Sequence, residues 1–62
     1  MIRDLLQNLM EESKILMLTT RSGDTWEDVI IKKISDEYIT VADDEDNVIG
    51  YVVIDCIESI TV

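Results

Sequence analysis

The side chains able to do chemistry in this 62-residue chain are few and of restricted kinds. Histidine is absent, which removes the commonest general base. The one thiol, Cys56, has no neighbouring cation in sequence to favour a thiolate, and it reads as a buried, inert small hydrophobe. A single cysteine can form no internal disulfide, and without histidine it makes no structural zinc site. Carboxylates are plentiful but fall mostly in turn-like stretches, so no catalytic pair is expected and the chain reads as a non-enzyme. The acidic run Asp43-Asp44-Glu45-Asp46-Asn47 invites a calcium reading, but a calcium loop needs glycine at its sixth position. Counting from Asp43 that position is Val48, and counting from Asp44 it is Ile49. The run is therefore a solvated hairpin tip, and neither metal nor cofactor is expected.

Binding chemistry is better represented. Trp26 and Tyr38 are candidate stacking platforms for bases, although a small β-domain needs such rings inside, and Trp26 is expected in the core. Lys32 and Lys33, with Arg3, Lys14 and Arg21, are the only candidates for phosphate contacts. Against them stands a formal charge of −9. Up to Gly23 the acids Asp4, Glu11 and Glu12 balance Arg3, Lys14 and Arg21, so the imbalance lies wholly from Asp24 onward. Nucleic-acid affinity depends on cations that neutralise phosphates, which sets an acidic domain at a disadvantage. The same excess keeps an apolar surface soluble.

The elements that position these residues are legible from hydrophobic period. Ile2, Leu5, Leu6, Leu9 and Met10 recur at helical spacing, with polar residues opposite, which predicts one amphipathic helix over about 2–13. Alone it is marginal in water, so its stripe must lie on something. Capping the open end of a barrel is the expected role, and docking to another protein is the alternative. Lys14 to Thr20 reads as the first strand, and Arg21-Ser22-Gly23-Asp24 as a tight turn. Thr25 to Ile34 is a long second strand, with Trp26, Ile30 and Ile34 spaced for one face and Val29 and Ile31 for the other. A strand apolar on both faces is either sandwiched or strongly bent. Ser35-Asp36-Glu37 turns the chain into a third strand, Tyr38 to Ala42.

The C-terminal stretch carries the strongest signal. Val48 to Ile54 is an uncharged, β-branched run that reads as a strand covered on both faces, and after Asp55-Cys56 a shorter strand with a wetter side follows. One domain, residues 1–62, is expected, with barrel strands over about 14–62. With 47% hydrophobic residues and no disulfide or metal, oligomerisation is the remaining way to bury so much apolar surface. No secretory signal or membrane span is visible, and the lone Cys56 suits a reducing interior, so a cytoplasmic location is expected.

The layout resembles the Sm-like (LSm) family. Gly23 matches the glycine after that family's first strand. Asp36-Glu37-Tyr38-Ile39-Thr40 matches the spacing of its Asp-x-x-hydrophobic-Asn corner, and Val53 to Ile60 resembles its second signature. The resemblance implies a mainly β fold, an N-terminal helix plus a five-stranded, strongly bent antiparallel SH3-like or Sm-like barrel. It also implies ring assembly, the fourth strand of one subunit pairing with the fifth of the next, which would cover Val48 to Ile54. Departures fall at the family's second-strand glycine, here Asp28, and at its RNA-contacting positions, here Thr40 and Asp55-Cys56.

These readings converge on a non-enzymatic, self-assembling Sm-like binding or scaffold module. Val48, Tyr51, Val53, Ile57 and Ile60 are the expected oligomer contacts. One alternative is RNA binding through Lys32, Lys33 and Tyr38, at positions that include Thr40 and Asp55. The other is an acidic nucleic-acid mimic that occupies a basic protein through Asp43, Asp44, Glu45 and Asp46. The partners implied are further copies of the chain, and in the alternatives RNA or a basic protein, with no membrane role.

Overall fold

In a computed structural model, which describes residues 2–62, one helix precedes five antiparallel strands. In chain order these are α1 (Ile2–Glu11), β1 (Leu16–Thr20), β2 (Thr25–Ile34), β3 (Tyr38–Ala42), β4 (Val48–Val53) and β5 (Ile57–Thr61), with a 3₁₀ turn over Ile54–Cys56. The strands lie in the order β4-β3-β2-β1-β5. β4 and β5 are thus the two edges of the sheet, and no pairing between them closes it into a barrel. A mainly β class with a leading helix is what the hydrophobic pattern predicts.

β2 explains how a strand can be apolar at both parities. Its first half pairs with β1 and its second half with β3. Leu16 faces Val29 but Leu18 faces Trp26, so β2 carries one extra residue there, and Asp28 takes a φ of 54°. Ile31 faces Val41 but Lys33 faces Thr40, which makes Lys32 a second extra residue. Each such bulge bends the strand and shifts its parity by one. Consequently Val29 and Ile31 are buried, and Trp26 and Ile34 pack on the same core, while Ile30 does not join them. The face expected from simple alternation, Trp26 with Ile30 and Ile34, is therefore corrected: the two bulges move Trp26 and Ile34 onto the face of Val29 and Ile31.

The helix ends two residues earlier than its periodicity suggests. Lys14 N–H donates to Leu9 O and Ser13 N–H to Met10 O, both at 3.1 Å, with Ser13 at a φ of 52°. This pair of bonds is a Schellman motif, in which the left-handed residue satisfies the last helical carbonyls. Leu6 and Leu9 are buried against the sheet, whereas Ile2 and Leu5 stay exposed. Arg3 ties the helix to the β2–β3 turn, its Nη1 donating to the carbonyls of Ser35 and Asp36 at 3.1 Å each.

The core is formed by Leu6 and Leu9 of the helix with Leu16, Leu18, Val29, Ile31, Ile39, Val41, Val52, Ile54 and Ile57. Across it, Trp26 of β2 lies on Gly50 of β4, so closely that a Cβ added there would stand 2.8 Å from the indole Cζ3. Glycine is needed at this position for room.

Two predictions follow from these backbone and packing features. Gly50→Ala drives a methyl into the indole and should lower stability by about 1–3 kcal/mol, the usual cost of overpacking, measured by urea unfolding. Ser13→Gly should raise it by about 0.5–1 kcal/mol, because glycine adopts the left-handed cap without steric cost. An unchanged unfolding midpoint in Gly50→Ala would show that the ring is free to move aside.

Candidate functional site

The most distinctive surface is the β4 edge. β4 carries a bulge of its own, since Val41 faces Gly50 while Ala42 faces Val48, leaving Ile49 unmatched. Val52 is buried, but Val48, Ile49, Tyr51 and Val53 are 46–64% exposed. Within one chain β3 and the core cover only one side of Val48 to Ile54, so the cover expected for the other must come from outside the chain. On the outer face Tyr38 and Tyr51 meet edge to face, ring centroids 5.6 Å apart and planes at 87°. With Val53 they line a shallow apolar hollow of about 340 Å³. Register explains the cluster, because β3 and β4 bring Tyr38 opposite Val53 and Thr40 opposite Tyr51.

A second hollow, of about 200 Å³, lies between this edge and the β1–β2 turn. Thr20, Ser22, Asp24, Trp26, Tyr51, Val52, Val53 and Cys56 line it. The turn is tightly built: Thr20 N–H donates to Asp24 O at 2.9 Å and Gly23 N–H to Thr20 O at 3.0 Å, Gly23 taking a φ of 95°. Thr20 Oγ1 lies 2.9 Å from Ser22 Oγ and accepts from Asp24 N–H at 3.3 Å. The sequence marks this turn and the tryptophan separately. Nothing in the local pattern says that β4 and the 3₁₀ turn complete a cleft with them.

The expected oligomer contacts divide. Val48, Tyr51 and Val53 stand exposed on the edge, Ile60 is half-buried, and Ile57 belongs to the chain's own core. On the β5 side the exposed apolar residue is instead Val62. The expected RNA contacts do not form one cluster. Lys32 donates to Asp46 Oδ2 at 3.0 Å and Asp46 O at 3.1 Å, and Thr40 is buried. Asp55 sits exposed in the 3₁₀ turn, while Tyr38 belongs to the aromatic hollow. Arg3 is engaged as described, and Lys14 lies 3.9 Å from Glu12. Among the described residues this leaves Arg21 and Lys33 as the cationic side chains without an ion pair or hydrogen bond.

Cys56 is exposed, which corrects its reading as a buried hydrophobe. The bend at Ile54–Cys56 turns Ile54 and Ile57 inward and leaves the thiol outside. The acidic tip is closed upon itself: Asp43 Oδ1 accepts from the N–H groups of Glu45 and Asn47, each at 2.9 Å. No group of three or more potential metal ligands is found among the described residues, and no helix is long and apolar enough to cross a membrane.

Comparison with known proteins found no matching family model, curated protein or solved structure.

The tip's order should depend on Asp43. Asp43→Ala deprives two N–H groups of their acceptor and should lower stability by about 1 kcal/mol, with amide shifts confined to residues 43–48. Asp43→Asn keeps an acceptor and should cost less, and equal losses in the two variants would contradict this account.

Proposed function

We propose that this chain is a non-enzymatic, Sm-like small-barrel module that assembles with copies of itself, the β4 edge of one copy pairing with the β5 edge of the next. The observation that carries this reading is the pair of different, unpaired edges at the two ends of one bent sheet. An exposed, apolar edge strand is an aggregation hazard unless it is covered. β4 is such a strand, with four exposed apolar side chains and Tyr38 beside them. A contact between unlike edges is heterologous, so repetition closes a ring when the rotation allows it. In such a ring each copy extends its neighbour's sheet, and the gap between β4 and β5 is bridged by another subunit rather than closed internally.

Further support comes from the φ of 54° at Asp28. This is the position where the resembled family has a glycine, and aspartate is among the few residues that tolerate the left-handed region. RNA binding is less well supported, because two unengaged cations per copy neutralise few phosphates. The acidic-mimic reading is also weaker, since two of the tip's four acids, Asp43 and Asp46, are engaged by its own backbone and by Lys32.

Sedimentation tests the assembly directly. At micromolar concentration the expected species is a multiple of 7.1 kDa. Because every copy carries a charge of −9, raising salt to roughly 0.5 M should strengthen association by screening repulsion. RNA binding would weaken under the same change. Val48→Lys and Val53→Lys place cations on the edge without touching the core, and each should shift the equilibrium toward monomer at least tenfold while circular dichroism stays unchanged. A single monomeric species at every salt concentration sinks the proposal.

A further inference from the structure

The 200 Å³ hollow beside the β1–β2 turn has a chemistry that edge pairing does not use. Two aromatic residues, Trp26 and Tyr51, share its wall with the carboxylate of Asp24 and the hydroxyls of Thr20 and Ser22. No lysine or arginine lines it. Trp26 is held in place against Gly50, so that side of the hollow is preformed. Asp24 is exposed, and its side chain accepts a single long bond from Ser22 Oγ, at 3.3 Å. An ionised carboxylate has about four acceptor positions, so most of its capacity is free.

Size and charge narrow the occupant. Drug-sized ligands take about 300–1,000 Å³, so this hollow suits one side-chain end. Aromatic rings attract cations, and a carboxylate adds a charge-assisted hydrogen bond. The field of a chain at −9 concentrates cations and repels anions. Among protein cations the planar guanidinium both stacks on rings and donates to several oxygens, whereas an ammonium is a compact, strongly hydrated charge.

We propose that this hollow binds the guanidinium of an arginine side chain presented by a partner protein, with Asp24 as its acceptor and Trp26 and Tyr51 as its aromatic walls. A basic partner is thereby drawn to the β1–β2 turn rather than to the acidic tip at Asp43–Asp46. The site shares Tyr51 and Val53 with the β4 edge, whereas Thr20, Ser22, Asp24, Trp26 and Cys56 lie off that strand.

The test is an amide and indole NMR titration with N-acetyl-arginine amide, run on the full chain and on Val48→Lys, so that assembly does not hide the hollow. Shifts should centre on the Trp26 indole N–H and on residues 20–24, with a dissociation constant of about 1 mM or tighter. The uncharged citrulline analogue should bind at least tenfold more weakly. Asp24→Asn, which keeps an acceptor for Ser22, should weaken arginine about tenfold. Cys56→Lys, which puts an ammonium into the wall without altering the turn, should abolish binding. Shifts centred on residues 43–46, equal binding of citrulline, indifference to both substitutions, or no response in either chain would each overturn the proposal. Sedimentation of Asp24→Asn should match that of the unmodified chain, which separates this result from failure of the assembly.

Discussion

The constraint on which this structure turns is the double parity of β2. Ten residues run from Thr25 to Ile34, and their apolar members do not alternate. A straight strand with that composition would leave Val29 and Ile31, or else Trp26 and Ile34, facing water. Extra residues at the Glu27–Asp28 step and at Lys32 resolve the conflict, because each returns the next apolar side chain to the inner face. The bends also separate the sheet into a half with β1 and β5 and a half with β3 and β4. The two halves share one core, and across it Trp26 lies on Gly50.

Stability and exposure are two sides of this arrangement. A chain of this size has little core to spare, and its buried side chains are drawn from every strand and from the helix. What remains apolar after the core is filled lies mostly on the β4 edge and the outer face around Tyr38 and Tyr51, with Ile2, Leu5, Ile15 and Val62 exposed elsewhere. The polar interior is settled by contrast: no buried side-chain nitrogen or oxygen among the described residues lacks a partner. The unspent capacity is thus apolar surface and unpaired backbone, a combination suited to strand addition. Charge acts in the opposite sense, since copies at −9 repel one another. Any assembly must be held by short-range packing strong enough to overcome that repulsion.

Much of the architecture is legible in the sequence, and the structure departs from it where a single residue's backbone conformation or a long-range contact decides. β2 and β3 fall where their β-branched composition and the flanking turn residues put them, and the acidic tip is the polar hairpin end that its composition suggests. The helix stops two residues short of its periodic pattern because periodicity does not reveal a left-handed serine at Ser13. Cys56 is exposed although the lack of a cationic neighbour marks it as an inert thiol, because the 3₁₀ turn directs Ile54 and Ile57 inward and leaves Cys56 outside. Ile57, expected among the intersubunit contacts, is directed by the same turn into the chain's own core. The cleft was invisible because it joins residues 20–26 to residues 51–56, and no local pattern encodes that distance.

By itself the chain determined its class, its element order and its chemical poverty. Hydrophobic period follows from backbone geometry that every residue carries locally, and the absence of histidine or a second cysteine is a matter of composition. Only the tertiary structure decided which apolar residues are spent within the molecule and which are left over. That division depends on bulges, on the fit of Trp26 against Gly50, and on which strands end the sheet. All three are set by contacts between residues far apart in sequence.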